Sequence, residues 1–82
     1  MIIREMPLAL GANTLKMPSD TKVLTALAAP DGVRLIYSTA SGSDHSDDMT
    51  FNVLRTGATV AGNFIASVVL SDGTAAHIFE GA

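Results

Sequence analysis

Turn-forming residues interrupt this chain at intervals of roughly eight to twelve residues, so every element of secondary structure must be short. No stretch longer than about ten residues keeps an apolar i, i+3, i+4 pattern, and β-branched residues fill the segments between turns. Strands are expected throughout. The main rival is a helix within 58–69, carried by Val60, Phe64, Ile65 and Val68, which would make the fold α+β; Gly62 and the β-branched content count against it.

Two hairpins are the best specified pieces. Lys22 to Ala28 leads into Pro30-Asp31-Gly32 and Val33 to Thr39 returns. Proline presets φ at the first turn position, aspartate suits the second, and Gly32 would take the left-handed position of a type I turn with a bulge. That register sets Leu27 against Leu35, Thr25 against Tyr37 and Val23 against Thr39. In the second hairpin, Phe64 to Leu70 and Thr74 to Glu80 flank Asp72-Gly73, a dipeptide suited to a two-residue primed turn. It sets Leu70 against Ala75, Val68 against His77 and Ala66 against Phe79.

Ile2 to Met6 reads as a strand closed by Pro7, whose missing N–H suits a sheet edge. Thr14 to Met17 forms another short strand, and Met49 to Arg55 resumes the alternation after a loop at about 40–48. The loop holds Ser, Gly, Asp and His with no aliphatic larger than Ala, so it is expected to be solvated and flexible. The expected architecture is all-β, with about six short antiparallel strands in a meander-like small barrel or sandwich. At 82 residues the chain has material for one core, and residues 1–82 are read as one domain.

Composition narrows the function classes. With no Cys, disulfides, thiolate metal ligands and cysteine nucleophiles are excluded, which suits a reducing compartment. No charged, apolar, small-residue leader opens the sequence and no apolar run is long enough to cross a bilayer, so neither secretion nor a membrane partner is expected. A net charge of −3 without a Lys/Arg cluster disfavours nucleic acid. The hydrophobic fraction of 48% is high for a small chain with 16% charged residues, so part of that surface is expected to be covered by another chain, and a homo-oligomer is expected.

Candidate chemistry is sparse. Asp44, His45, Asp47 and Asp48 are the one concentration of metal-competent ligands, but they lack a calcium-loop pattern and read more simply as a solvated acidic loop. His77 lies mid-strand, and Glu80, three residues on, falls on the opposite face. Ser and Thr show no nucleophile-elbow pattern, the glycines form neither a P-loop nor a dinucleotide fingerprint, and no cofactor or catalytic residue is assigned. A candidate interaction surface comprises Leu24, Ile36, Tyr37, Ile65, Val69, His77 and Ile78, with Pro30, Asp31, Gly32, Asp72 and Gly73 as structural turns.

Several strings together resemble an uncharacterised family of short proteins from tailed bacteriophages and prophages. They are Met6-Pro7-Leu8, Thr14-Leu15-Lys16-Met17-Pro18, Lys22-Val23-Leu24, Val33-Arg34-Leu35-Ile36-Tyr37, Phe51-Asn52-Val53, Thr56-Gly57, Phe64-Ile65-Ala66-Ser67-Val68 and His77-Ile78-Phe79-Glu80. Order and spacing match over nearly the whole chain. Ile36 and Ala76 stand where that family often has Trp. The resemblance implies a phage or prophage accessory protein, without a reaction. Its expected setting is the cytoplasm of a bacterial host or a virion, and its expected partner a host or phage protein.

Overall fold

A computed structural model describes residues 1–40, 46–59 and 62–81. Seven strands, one at each of the segments read as a strand, run in the order β1 (Ile2–Leu8), β2 (Gly11–Pro18), β3 (Lys22–Ala29), β4 (Gly32–Thr39), β5 (Ser46–Arg55), β6 (Asn63–Val69) and β7 (Ala75–Glu80). They form two antiparallel sheets, β1-β4-β3 and β2-β5-β7-β6, packed as a sandwich. The β3–β4 and β6–β7 hairpins sit in different sheets, and long-range pairs β1–β4, β2–β5 and β5–β7 complete them, so the strand order is interleaved. The segment considered for a helix contains β6 instead: Ala66 and Val68 must face Ile78 and Ala76 across a ladder, which a period of two achieves.

The core lies between the sheets. Phe51, Leu35, Ile78, Val53 and Met17 are its largest fully buried side chains, joined by Leu8, Val33, Tyr37, Ala26 and Ala76. Asn13 clips the corner where the chain passes from one sheet to the other. Its Oδ1 accepts from the Ala9 N–H at 3.0 Å, and its Nδ2 donates to the carbonyls of Ala9 at 2.9 Å and Phe51 at 3.2 Å.

The two turns differ from the sequence reading, each shifting its hairpin register by one residue. In the first, Ala29 faces Gly32 across the two-residue loop Pro30-Asp31, and Leu27 opposes Arg34 while Ala26 opposes Leu35. Asp31 does not take positive φ, so this is not a primed turn; Gly32, at φ +145°, absorbs the mismatch between an unprimed turn and the strand twist. A one-residue slip exchanges faces, which is why Ala26 is buried and Leu27 exposed. The pairing shifts again between Val23 and Thr25, a bulge that leaves Leu24 exposed.

The second hairpin has the geometry anticipated for the first. The Gly73 N–H donates to the Leu70 carbonyl at 2.9 Å and the Leu70 N–H to Thr74 O at 2.8 Å, enclosing Ser71-Asp72-Gly73 as a three-residue loop. Gly73 sits at φ +85°, whereas Asp72 is not at positive φ as a primed Asp-Gly turn demands. The Asp72 carboxylate decides the outcome by accepting from the Thr74 N–H at 3.0 Å and the Thr74 hydroxyl at 2.6 Å. Val68 therefore opposes Ala76 in the core, and His77 opposes Ser67.

These bonds, the Thr74 hydroxyl first, hold the Asp72 carboxyl below its usual value of 3.8. A carboxyl whose folded pKa is depressed stabilises above its unfolded pKa, and the contribution is lost as pH falls through the folded value. Asp72→Asn should lower the urea midpoint at pH 7, and the gap to wild type should close below about pH 4. A gap that is constant from pH 7 to pH 3 would show that the charge plays no part.

Candidate functional site

The outer face of the four-stranded sheet is assembled by pairing alone, because directly opposed residues point to the same side. One row reads Asn52, Phe79 and Phe64; the next reads Leu54, His77 and Ser67; the last holds Ala75 and Val69. Phe64 and Phe79 meet edge to face, with centroids 5.5 Å apart and planes at 67°. Phe64 is 60% exposed and Val69 66% exposed, so this face presents aromatic and aliphatic surface to solvent.

His77 is held at its centre. The Ser67 hydroxyl lies 2.7 Å from Nδ1 and the Thr56 hydroxyl 2.7 Å from Nε2. In a neutral ring one nitrogen donates and the other accepts, and a hydroxyl can take either role, so both bonds can be satisfied together. Glu80 pairs with Phe51 and Asn63 on the opposite side and takes no part. A hydroxyl beside a histidine is the start of a nucleophilic site, but a substrate must also be held over it. Two clefts among the described residues have linings that do not include Ser67 or His77. A cleft of about 420 Å³ opens at the end of the sandwich between Leu8, Leu10, Pro30, Val33, Leu70 and Asp72. A second, of about 250 Å³, lies among Arg55, Thr56, Thr74 and Ala75. The Arg55 guanidinium on both rims is engaged, donating to Thr74 Oγ1 at 2.9 Å.

The surface residues expected from sequence scatter. Tyr37, at 7% exposure, and Ile78, at 0%, belong to the core and are not available to a partner. Tyr37 opposes Val23 and Ile78 opposes Ala66 on the inner faces. Ile65 is half-buried at the β6 bulge and packs on the core. Leu24 and Ile36 belong to the three-stranded sheet; only Val69 and His77 lie on the face described above. Leu54, Phe64 and Phe79 complete it and were missed, because the expected hairpin register set Phe79 against Ala66 and hid the aromatic pair.

Of the metal candidates, Asp44 and His45 lie outside the described residues. Ser46, Asp47 and Asp48 were expected in a loop but begin β5, where Asp47 opposes Met17 and Asp48 opposes Lys16, because the β2 ladder extends to Pro18. Adjacent strand residues point to opposite faces, so these two carboxylates do not converge. Asp48 pairs with the Lys16 ammonium at 3.5 Å. Among the described residues no group of three His, Asp or Glu side chains could hold a metal ion, and no helix is long and apolar enough to cross a membrane.

The fold and this face define a small antiparallel β-sandwich with an uncovered aromatic sheet surface. No protein-family model matches the chain, and neither the curated proteins nor the solved structures contain a significant match to it.

Proposed function

We propose that this chain is a non-enzymatic accessory protein that acts by binding another protein through the outer face of its four-stranded sheet. One observation carries the reading: Phe64 and Val69 are exposed at 60% and 66% beside Phe79, Leu54 and His77. Contiguous exposed apolar surface on a small chain marks an interaction site, and aromatic residues are enriched where interfaces are buried. Both ring nitrogens of His77 are already satisfied by Ser67 and Thr56, so the ring sits at the centre of the face without an unpaired polar atom to desolvate. The resemblance to tailed-phage proteins supports a phage or prophage source and a host or phage protein as the partner, acting in the host cytoplasm or on the virion. Inhibition or redirection of a host factor is the corresponding role. Ala76, where that family often has Trp, is fully buried here, so the position shapes the core and leaves the proposed contact surface intact.

The test is affinity purification from host or infected cells with mass spectrometry, using wild type and Phe64→Lys side by side. Phe64→Lys should cost about 0.5–1.5 kcal/mol of stability through the lost aromatic pair. It should also reduce recovery of a specific partner at least tenfold. Recovery that is equal for the two baits, or repeated recovery of no specific partner from wild type, would overturn the proposal.

A further inference from the structure

The four edge strands of the sandwich are not equivalent. Edges that avoid pairing with other chains are bent by bulges, shortened, or marked with lysine and proline. β3 is bulged between Val23 and Thr25, and β6 between Phe64 and Ala66. β2 carries Lys16 and ends on Pro18. β1 is regular over all seven of its pairs with β4, and its half from Ile2 to Glu5 is exposed, with Ile3 at 67% and Ile2 at 39%. Its Pro7, which has no N–H to give a ladder, lies near the far end.

Pro7 also tells which backbone groups the free edge offers. In an antiparallel ladder, successive residues turn their N–H and C=O alternately to one neighbour and the other. Pro7 has no N–H to give Arg34, its partner in β4, so it belongs among the residues that face the free edge. Alternation puts the N–H and C=O of Ile3 and Glu5 there too. Those groups have no strand partner among the described residues.

We propose that two copies of this chain pair antiparallel through β1, joining their three-stranded sheets into one six-stranded sheet with Ile3 at the two-fold axis. Symmetry leaves few registers, because a two-fold perpendicular to the sheet must place a β1 residue opposite its own copy. Centring on Arg4 sets two guanidinium groups opposite one another. Centring on Glu5 sets two carboxylates together and brings Pro7, without a donor, to Ile3 of the other copy. Centring on Ile3 pairs two exposed apolar side chains and sets Arg4 against Ile2. Both Ile3 N–H groups then find carbonyls. This register leaves Pro7 beyond the paired segment and like charges apart. The site is distinct from the aromatic face, so the dimer can form with that face free.

A strand pair is smaller than the standard interface of about 1,600 Å², so the equilibrium is to be followed from about 10 μM to 1 mM. By sedimentation equilibrium the weight-average mass should rise toward twice the chain's 8.5 kDa. Hydrogen exchange of the wild-type chain should show protection of the Ile3 and Glu5 amides that increases with concentration. Ile3→Lys should weaken association at least tenfold, and Phe64→Lys should leave it unchanged. A constant monomer mass overturns the proposal. So does a dimer in which the Ile3 amide gains no protection, or one that Ile3→Lys leaves intact. Should Ile3→Lys fail to fold, amide exchange of the wild-type chain decides the matter alone.

Discussion

Phe51→Ala is expected to destabilise the protein by about 3–5 kcal/mol, because a fully buried phenyl ring leaves both its transfer free energy and a cavity behind. Phe51 sits in the central ladder of the four-stranded sheet, between Asn13 on β2 and Glu80 on β7, and it is 0% exposed. Its backbone carbonyl also receives the Asn13 amide that clips the corner between the sheets, so relaxation around the cavity is restrained. For 82 residues the total stability is about 4–12 kcal/mol. Loss of this ring therefore removes about a quarter or more of it. With a urea slope of about 1 kcal/mol/M, the midpoint should fall by roughly 3 M or the transition should vanish. Leu27→Ala is the control. Leu27 is 54% exposed, opposes Arg34 on the outer face, and should move the midpoint by less than about 1 M. Comparable losses for the two would show that Phe51 is not in the core, and with it the assignment of the inner faces would fall.

That control also marks where sequence reasoning ended. Strand positions were readable because short β-branched runs between Gly, Pro and Asp have one outlet, and the all-β class follows from them. Which side each strand buries was not readable, because Leu27 and Ala26, or Val68 and Val69, are similar in hydrophobicity and either alternation looks acceptable. The turns then decide. At Asp72 a carboxylate captured by the Thr74 amide and hydroxyl favours the three-residue loop over the primed turn. At Pro30-Asp31 a glycine outside the turn, at φ +145°, allows the tighter loop.

The same slip explains how much of the candidate site was legible. His77 and Val69 were singled out from sequence, but their neighbours depend on register, and with the observed one Ser67 reaches His77 and Phe64 reaches Phe79. The partners Thr56 and Leu54 come from β5 and the turn after it, more than twenty residues before His77, through a β5–β7 pairing that no local pattern announces. A binding face is made of ordinary residues and is visible only after the strands have been paired.

Gly62→Ala carries the second large effect. Gly62 precedes β6 and takes φ +115°, a conformation side-chain-bearing residues rarely adopt. A Cβ at this position would come to 2.5 Å from the carbonyl oxygen of Glu80 and 3.2 Å from that of Gly81, both main-chain atoms of the strand end it packs against. They cannot turn aside as a flexible side chain would. Glu80 is paired with Phe51 and Asn63, and the Gly81 amide donates to the Thr50 carbonyl at 2.8 Å, so moving them disturbs two ladders. Backbone strain of about 1–3 kcal/mol and overpacking of about 1–3 kcal/mol add to roughly 2–6 kcal/mol. Gly57→Ala separates the two terms, since Gly57 has φ +99° but nothing within 4 Å of its Cβ position. It should cost the strain alone, about 1–3 kcal/mol. Thermal unfolding of both variants should then show Gly62→Ala lower by roughly 5–20 °C, at 4–8 °C per kcal/mol for a domain of this size. Equal melting temperatures would mean that β6 enters the sheet without this close approach. In that case the neighbouring rows that align Phe64 with Phe79 and Ser67 with His77 would lose the anchor that sets their register.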